Sequence, residues 1–433
     1  MPSPTVSSVL RSLVFAVLIA LSTSVTPTPL AGQTATPPIL VVVSASAPNP
    51  YGRYLGEILK TEGLPAFAIA DVGAVTASQL AAAKLVVLAE MPLTLPQAQL
   101  FRSHIAGGGR LIAMRPDPQL ADVLGLSPAG TSQTDGYLAI DQTQLGAGLA
   151  AVTLPFSGTA DHYTLLAPAQ TQTLARLYST LTTATTFPAV LRANRTATWT
   201  FDLARSVVYR RQGHPALAGV ERDGDPPYRT EEPFYQAIDL ERMSVPHVDV
   251  QMRLFSRTVT DLLADELPMP RLWYFPGGKR SLVIVAGDAH VHDPATYDAL
   301  IAKVEAVGGR MTMYPSRWLP YPTASVAAQW RARGHELGVH PIGASDGLTL
   351  TQAYARNLGY FASAGWGTPG PTARNHDEEW QGWVDGAQIA AANGVKLDLS
   401  MVTWGPAVGP PVGPQAKGYI SGSGLPMRFV TTT

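Results

Sequence analysis

The chain has 433 residues, 31 Lys plus Arg against 32 Asp plus Glu, 46% hydrophobic residues, 15% charged ones and no cysteine. Near-zero net charge without a basic run gives no electrostatic footprint for nucleic acid. The lack of cysteine excludes disulfide frameworks, thiolate metal sites, iron–sulfur clusters and a cysteine nucleophile. A length of this order predicts two or three domains.

Arg11 precedes an apolar run from Leu13 to Leu21, and small or polar residues follow as far as Ala35. A positive start, a short apolar core and a small-residue cleavage zone read as a secretory signal peptide over 1–35. With no cysteine for a lipid anchor and no second run of about 18 apolar residues, a secreted, periplasmic or cell-surface protein is expected, with no stable membrane insertion after cleavage.

Ile39 to Val43 reads as a strand buried on both faces. Tyr51, Tyr54, Leu55, Ile58 and Leu59 then form one helical stripe, capped by Asn49 and Pro50 and ended by Gly63. Strands at Ala66 to Ala70, Leu85 to Ala89 and Arg110 to Met114 alternate with helices at Ser78 to Ala83 and Pro96 to Ala106. Such alternation predicts an α/β fold with a doubly wound parallel sheet of the flavodoxin-like kind. Beyond Pro116 the pattern is less regular, with strands expected at Phe187 to Leu191 and Thr196 to Phe201, and a helix over Asp202 to Arg211. The first domain is placed at 36–218, and the Pro-, Gly- and charge-rich 219–275 is read as a connection with a helix near Gln251 to Leu263.

A second alternating series fills 276–433. Strands are expected at Leu282 to Ala286, Met311 to Tyr314, His335 to His340 and Val395 to Leu399. Helices are expected at Asp293 to Gly308, Ser325 to Arg333, Thr351 to Phe361 and Trp383 to Asn393, with a long loop at Gly405 to Pro414. The alternation suits an open sheet or a β/α barrel equally.

Five of the nine histidines, His290, His292, His335, His340 and His376, lie in this series. Asp288, His290, His340, Arg374, His376 and Asp398 fall at or beyond the C-terminal ends of strands, where β/α folds collect working residues. Asp288 and His290 share one side of an extended chain. With His340 and His376 they could supply ligands to a divalent metal, with open positions for water. Arg374 could orient a carboxylate or polarise an oxyanion, whereas His292 and His335 read as structural or exposed. Asp288 and Asp398 are the one carboxylate pair that a glycoside hydrolase could use.

The strings Ser281-Leu-Val-Ile-Val-Ala-Gly-Asp288-Ala-His290, Gly334-His-Glu-Leu-Gly-Val-His340 and Arg374-Asn-His376 resemble successive motifs of the polysaccharide deacetylase superfamily of chitooligosaccharide-deacetylase-like carbohydrate esterases. Trp199-Thr-Phe-Asp-Leu-Ala-Arg-Ser206, Tyr274-Phe-Pro and Gly422-Ser-Gly-Leu-Pro-Met-Arg-Phe429 resemble a group of exported bacterial proteins in which a glutamine-amidotransferase-like domain precedes a deacetylase-like one. The resemblance implies a distorted β/α barrel, a metal, usually zinc, held by one Asp and two His, a neighbouring Asp as general base, and removal of acetyl groups from a polysaccharide or cell-wall glycan. Asp288 matches the base and His340 the first metal His, but the second Asp falls on Ala289 and the second metal His on Ala344. Shifting the register makes Asp288 the ligand and leaves Gly287 at the base position. Either His290 and His376 replace the missing ligands, or the chain is a non-catalytic secreted glycan-binding protein with a degenerate fold. The amidotransferase relatives use a Cys nucleophile on a sharp turn, so glutaminase chemistry is excluded and a structural or ligand-binding role remains. The second series ends in strand-like Arg428 to Thr433 without a closing helix, so an incomplete barrel, truncated at its C-terminus, is expected.

Overall fold

The computed structural model describes residues 36–401 and 422–431, except 223, 225, 235–244, 267, 291, 317, 319 and 320. The leader-like 1–35 and the Gly/Pro loop at Gly405 to Pro414 lie outside the described residues. Among the described residues, no helix is long and apolar enough to cross a membrane.

In chain order the first half contains β1 (Ile39–Val43), α1 (Tyr54–Thr61), β2 (Phe67–Asp71), α2 (Ala77–Ala82), β3 (Leu85–Leu88), α3 (Leu95–Ala106) and β4 (Leu111–Met114). The strands β5 (Leu126–Thr134), β6 (Tyr137–Ile140), β7 (Thr153–Pro155), β8 (Thr159–Leu165), β9 (Thr171–Tyr178), β10 (Ala184–Ala193) and β11 (Thr196–Trp199) follow, then α4 (Leu203–Gln212) and α5 (His247–Leu263). A nine-stranded sheet runs β2-β1-β3-β4-β11-β10-β9-β6-β7. Its first five strands are parallel and the rest pair antiparallel.

Every residue of β1, β3 and β4 is buried, as expected for all-apolar runs covered on both faces. Asn49 accepts from Tyr51 N and Pro50 opens a 3₁₀ turn ahead of α1, while Gly63 takes the left-handed conformation (φ 78°) after it. The chain that looked irregular after Pro116 builds the antiparallel flank and the separate β5–β8 pair. Its strands were hard to read because they are partly exposed and carry Thr and Ala in place of a clean alternation.

Helix α5 buries Val248, Met252, Phe255, Val259 and Leu262 in the core of this sheet, with Phe255 edge-on to Trp199. Residues 422–431 return to the same body. Gly422 O accepts from Val248 N, and Asp249 accepts from Ser423 Oγ and Gly424 N. Arg428 O accepts from Tyr54 OH, Val430 exchanges two hydrogen bonds with Gln212, and Leu425, Met427 and Val430 pack on the core.

The second half contains β12 (Ala286–Ala289), α6 (Pro294–Ala306), β13 (Thr312–Pro315), α7 (Ala324–Ala332), β14 (Glu336–Leu337), α8 (Leu350–Ser363), β15 (Thr372–Ala373), α9 (Asp385–Ala392) and β16 (Leu397–Asp398). Strands β12-β13-β14 and β15-β16 are parallel sets joined by a parallel bridge between Val339 and Ala373. Among the described residues this array does not close, which agrees with the expected incomplete barrel.

The strand expected at Leu282 starts four residues later. Leu282, Val283 and Ile284 are 57%, 79% and 53% exposed, because β12 lies at the sheet edge and its partner β13 begins only opposite Ala286. The expected apolar stripe of α6 also narrows: Tyr297 and Ile301 are buried, but Leu300 and Val307 face solvent.

Burial raises Asp249 to about 6, with Ser423 and Gly424 opposing the shift. The folded pKa exceeds the unfolded one, so the folded state favours the protonated form and this contribution to stability is lost as pH rises from about 4 to about 6. Asp249→Asn stays neutral throughout. Urea denaturation should show the unfolding free energy of the variant gaining on wild type by up to about 3 kcal/mol across that window, and by nothing further above it. A pH-independent difference would contradict the assignment.

Candidate metal centre

The ends of four short parallel strands converge in the second half. Asp288 lies on β12 and His290 follows it, Tyr314 lies on β13, His340 comes three residues after β14, and Arg374 directly follows β15 with His376 two residues on. One ring nitrogen from each of His290, His340 and His376 lies within 4.8 Å of the others. The His290 and His340 rings are stacked (5.2 Å, 9°), and His376 meets both edge-on at 4.9 and 5.5 Å.

His340 is fully buried. Its Nδ1–H donates to the Arg374 carbonyl oxygen at 2.7 Å, and its backbone N–H donates to Asn357 Oδ1 at 3.0 Å. That arrangement leaves Nε2 as the lone-pair nitrogen. Among the described residues, His340 Nε2, His290 Nδ1 and Asp288 Oδ1 are buried and have no hydrogen-bond partner. Three orphaned buried acceptors in one place are costly unless something else binds them. Burial, with the other imidazoles adding to it, lowers His340 to about 3 and His290 to about 4, so both rings are neutral and present lone pairs. Burial pushes the Asp288 carboxyl up, while Arg374, whose Nε lies 3.5 Å from Oδ1, and His376 pull it back.

The donor set of three imidazole nitrogens with a nearby carboxylate fits a divalent cation. The trio is braced by its surroundings. Trp318 stands edge-on to His290 (5.5 Å) and His376 (4.7 Å). Asn375, between Arg374 and His376, accepts from Tyr354 OH and Ser400 Oγ accepts from its backbone N–H. Beyond His376 two consecutive non-glycine residues, Asp377 (φ 51°) and Glu378 (φ 55°), sit in the left-handed region, a strained turn of the kind found at functional sites.

The structure thus gathers Asp288, His290, His340, Arg374 and His376. Asp398 lies on β16, where Ser400 N and Oγ donate to its oxygens and burial raises it to about 6. Its field reaches Tyr314, which also feels Arg374. His335 is structural: Nδ1 accepts from Met311 N, and Nε2 lies 3.0 Å from Glu305.

Sequence reasoning did not single out Tyr314, Trp318 or Glu378. Burial, then Glu231, drives Glu378 to about 8. Neither a Trp in an irregular segment nor a Glu beside two other acids carries a sequence signal of such a role. The second glycine of the Gly-His-Glu-Leu-Gly-Val-His string has a local reason: a Cβ on Gly338 would lie 2.3 Å from Tyr314 Cε1 and 2.7 Å from Thr372 Oγ1. Only a residue without a side chain lets β14 pass between them and deliver His340.

No protein-family model and no curated protein matches the sequence. Among solved structures the chain is similar to a glutamine amidotransferase from Thermotoga maritima (TM-score 0.33, 11% identity, 52% of this chain and 97% of that one). It is also similar to Agd3, a carbohydrate deacetylase (0.39, 12%, 83% and 64%), and to a family 4 carbohydrate esterase from Streptomyces lividans (0.23, 18%, 29% and 64%).

Gly338→Ala overpacks this approach and is expected to lower the unfolding free energy by about 1–3 kcal/mol in urea denaturation. An unchanged midpoint would show that Tyr314 and Thr372 can yield.

Proposed function

We propose that the protein is a metal-dependent carbohydrate deacetylase or esterase, with His290, His340 and His376 as the metal ligands and Asp288 and Arg374 as the reacting and positioning groups. The observation that carries this reading is the buried, partnerless His340 Nε2 turned into a cluster with two further imidazoles. In the deacetylase motif Ala289 and Ala344 occupy the positions of a carboxylate and an imidazole ligand. His290 and His376 stand in for them.

A divalent cation held by these nitrogens, zinc by the character of the donors, would supply Lewis acidity to a substrate carbonyl and to water. Asp288 takes the proton of the attacking water through Oδ1, which carries no competing hydrogen bond. As the new C–O bond forms and the C–N or C–O bond to the sugar breaks, that proton passes to the leaving amine or alkoxide. Arg374, its Nε 3.5 Å from Oδ1, orients the carboxylate. Burial favours the protonated form of Asp288, so this guanidinium offsets part of that cost. Trp318 beside two of the imidazoles offers an aromatic face for a sugar ring. The acetylated substrate is a polysaccharide or cell-wall glycan. The leader-like 1–35 supports a site of action outside the cytoplasm.

The purified protein, dialysed and analysed for metals, should hold about one zinc, nickel or cobalt per chain, lost in His340→Ala. Acetate release from acetylated glycans should fall at least about 100-fold in Asp288→Asn, with the metal retained. A metal-free protein that still binds polysaccharide would instead establish a degenerate, non-catalytic glycan-binding fold.

A further inference from the structure

A second group of polar side chains lies at the other parallel sheet. The loops after β1, β3 and β4, together with the β5–β8 pair and α4, line a cavity of about 690 Å³, with Asn49, Glu90, Arg115, Asp117, Asp161 and Arg205 among its residues. The size is that of a small-molecule site. Chain order reverses between β1 and β3 in the sequence β2-β1-β3-β4, and the crevice at such a reversal is where open α/β sheets bind ligands.

Arg115 marks the place most clearly. It follows β4 directly, on a sharp turn with φ 34°, a backbone conformation that costs about 1–3 kcal/mol in a residue with a side chain. The turn aims the guanidinium across the strand ends. Arg115 Nη1 donates to Glu90 Oε1 at 2.7 Å, and its Nε and Nη2 donate to the two oxygens of Asp161 at 3.0 Å each. Asn49 Nδ2 lies 2.6 Å from both Glu90 Oε2 and Asp202 Oδ2, and Arg205 Nη2 lies 3.5 Å from Glu90 Oε2.

Both guanidinium charges are therefore already answered by carboxylates. A small anion would have to break partly buried ion pairs to enter, leaving a charge uncompensated, and the third carboxylate of the lining, Asp117, accepts from Leu93 N and Gln119 N. A neutral ligand with several hydroxyls faces no such cost. Each hydroxyl can accept from the remaining N–H groups of Arg115 or Arg205 and donate to spare lone pairs of Glu90 or Asp161, while Met91 and Tyr163 in the same wall offer apolar surface to C–H faces. We infer that this cavity binds a neutral polyhydroxylated ring, a hexopyranose unit, as a second ligand site separate from the imidazole cluster. The inference does not depend on the metal-centre reading.

Isothermal titration of the full chain with a panel of neutral probes tests it: methyl glycosides of glucose, galactose, mannose and N-acetylglucosamine, and their β-1,4-linked tetramers. At least one should bind. Asp161→Asn and Ser132→Trp should each weaken it by at least about tenfold, the loss expected for a charge-assisted hydrogen bond or a blocked mouth. Ser132 is an exposed residue in the cavity wall, so its variant should fold normally even where Asp161→Asn does not. His340→Ala should bind as wild type. Binding by no member of the panel, binding indifferent to both cavity variants, binding lost in His340→Ala alone, or binding only of the charged probes malonate or putrescine would each overturn the assignment.

Discussion

The hydrogen bond from His340 Nδ1 to the Arg374 carbonyl organises the chemical half of the molecule. It joins the segment after β14 to the segment after β15, two strand ends otherwise linked by the Val339–Ala373 bridge and its flanking backbone hydrogen bonds. A buried imidazole must satisfy its N–H, and once the carbonyl has done so the remaining nitrogen has to be an acceptor. Asn357 holds the same residue by its backbone, and Gly338 lets the strand approach closely enough to place it. The positions of His290 and His376 acquire meaning only around this one oriented ring.

The two halves are tied together by chain that looks like mere connection. Helix α5 and residues 422–431 build onto the first sheet, and Trp383, just ahead of α9, donates to Gly213 O and joins the first sheet's core. Trp380 stacks on Phe429 at 5.9 Å. The return segment consequently spans from the half that holds the imidazole cluster to α1 and α4.

Both halves apply one architectural rule to different chemistry. Parallel strands end together, and residues just beyond them face a common space. In the second half the residues there include two imidazoles, His290 and His340, that burial keeps neutral; in the first they are guanidiniums paired with carboxylates. The first arrangement leaves free lone pairs and suits a cation. The second leaves its guanidiniums answered and suits a ligand rich in hydroxyls.

Strand-helix alternation, the buried runs of β1, β3 and β4, and the cap at Asn49 were legible in the chain because they depend on neighbours within a few residues. So was the set Asp288, His290, His340, Arg374 and His376, since strand ends are local features and strand order collects them. The antiparallel flank, the exposed Leu282–Ile284 run and the role of 422–431 were not legible, because each depends on which distant segment pairs with it. The tautomer of His340, the strained turns at Arg115 and Asp377–Glu378, and the sharing of Arg115 between Glu90 and Asp161 belong to the same class. Residue types and their spacing along the chain determined what chemistry this protein could carry. Only packing between residues far apart in sequence decided which lone pairs and charges remain unanswered, because burial and hydrogen-bond geometry are properties of the assembled fold.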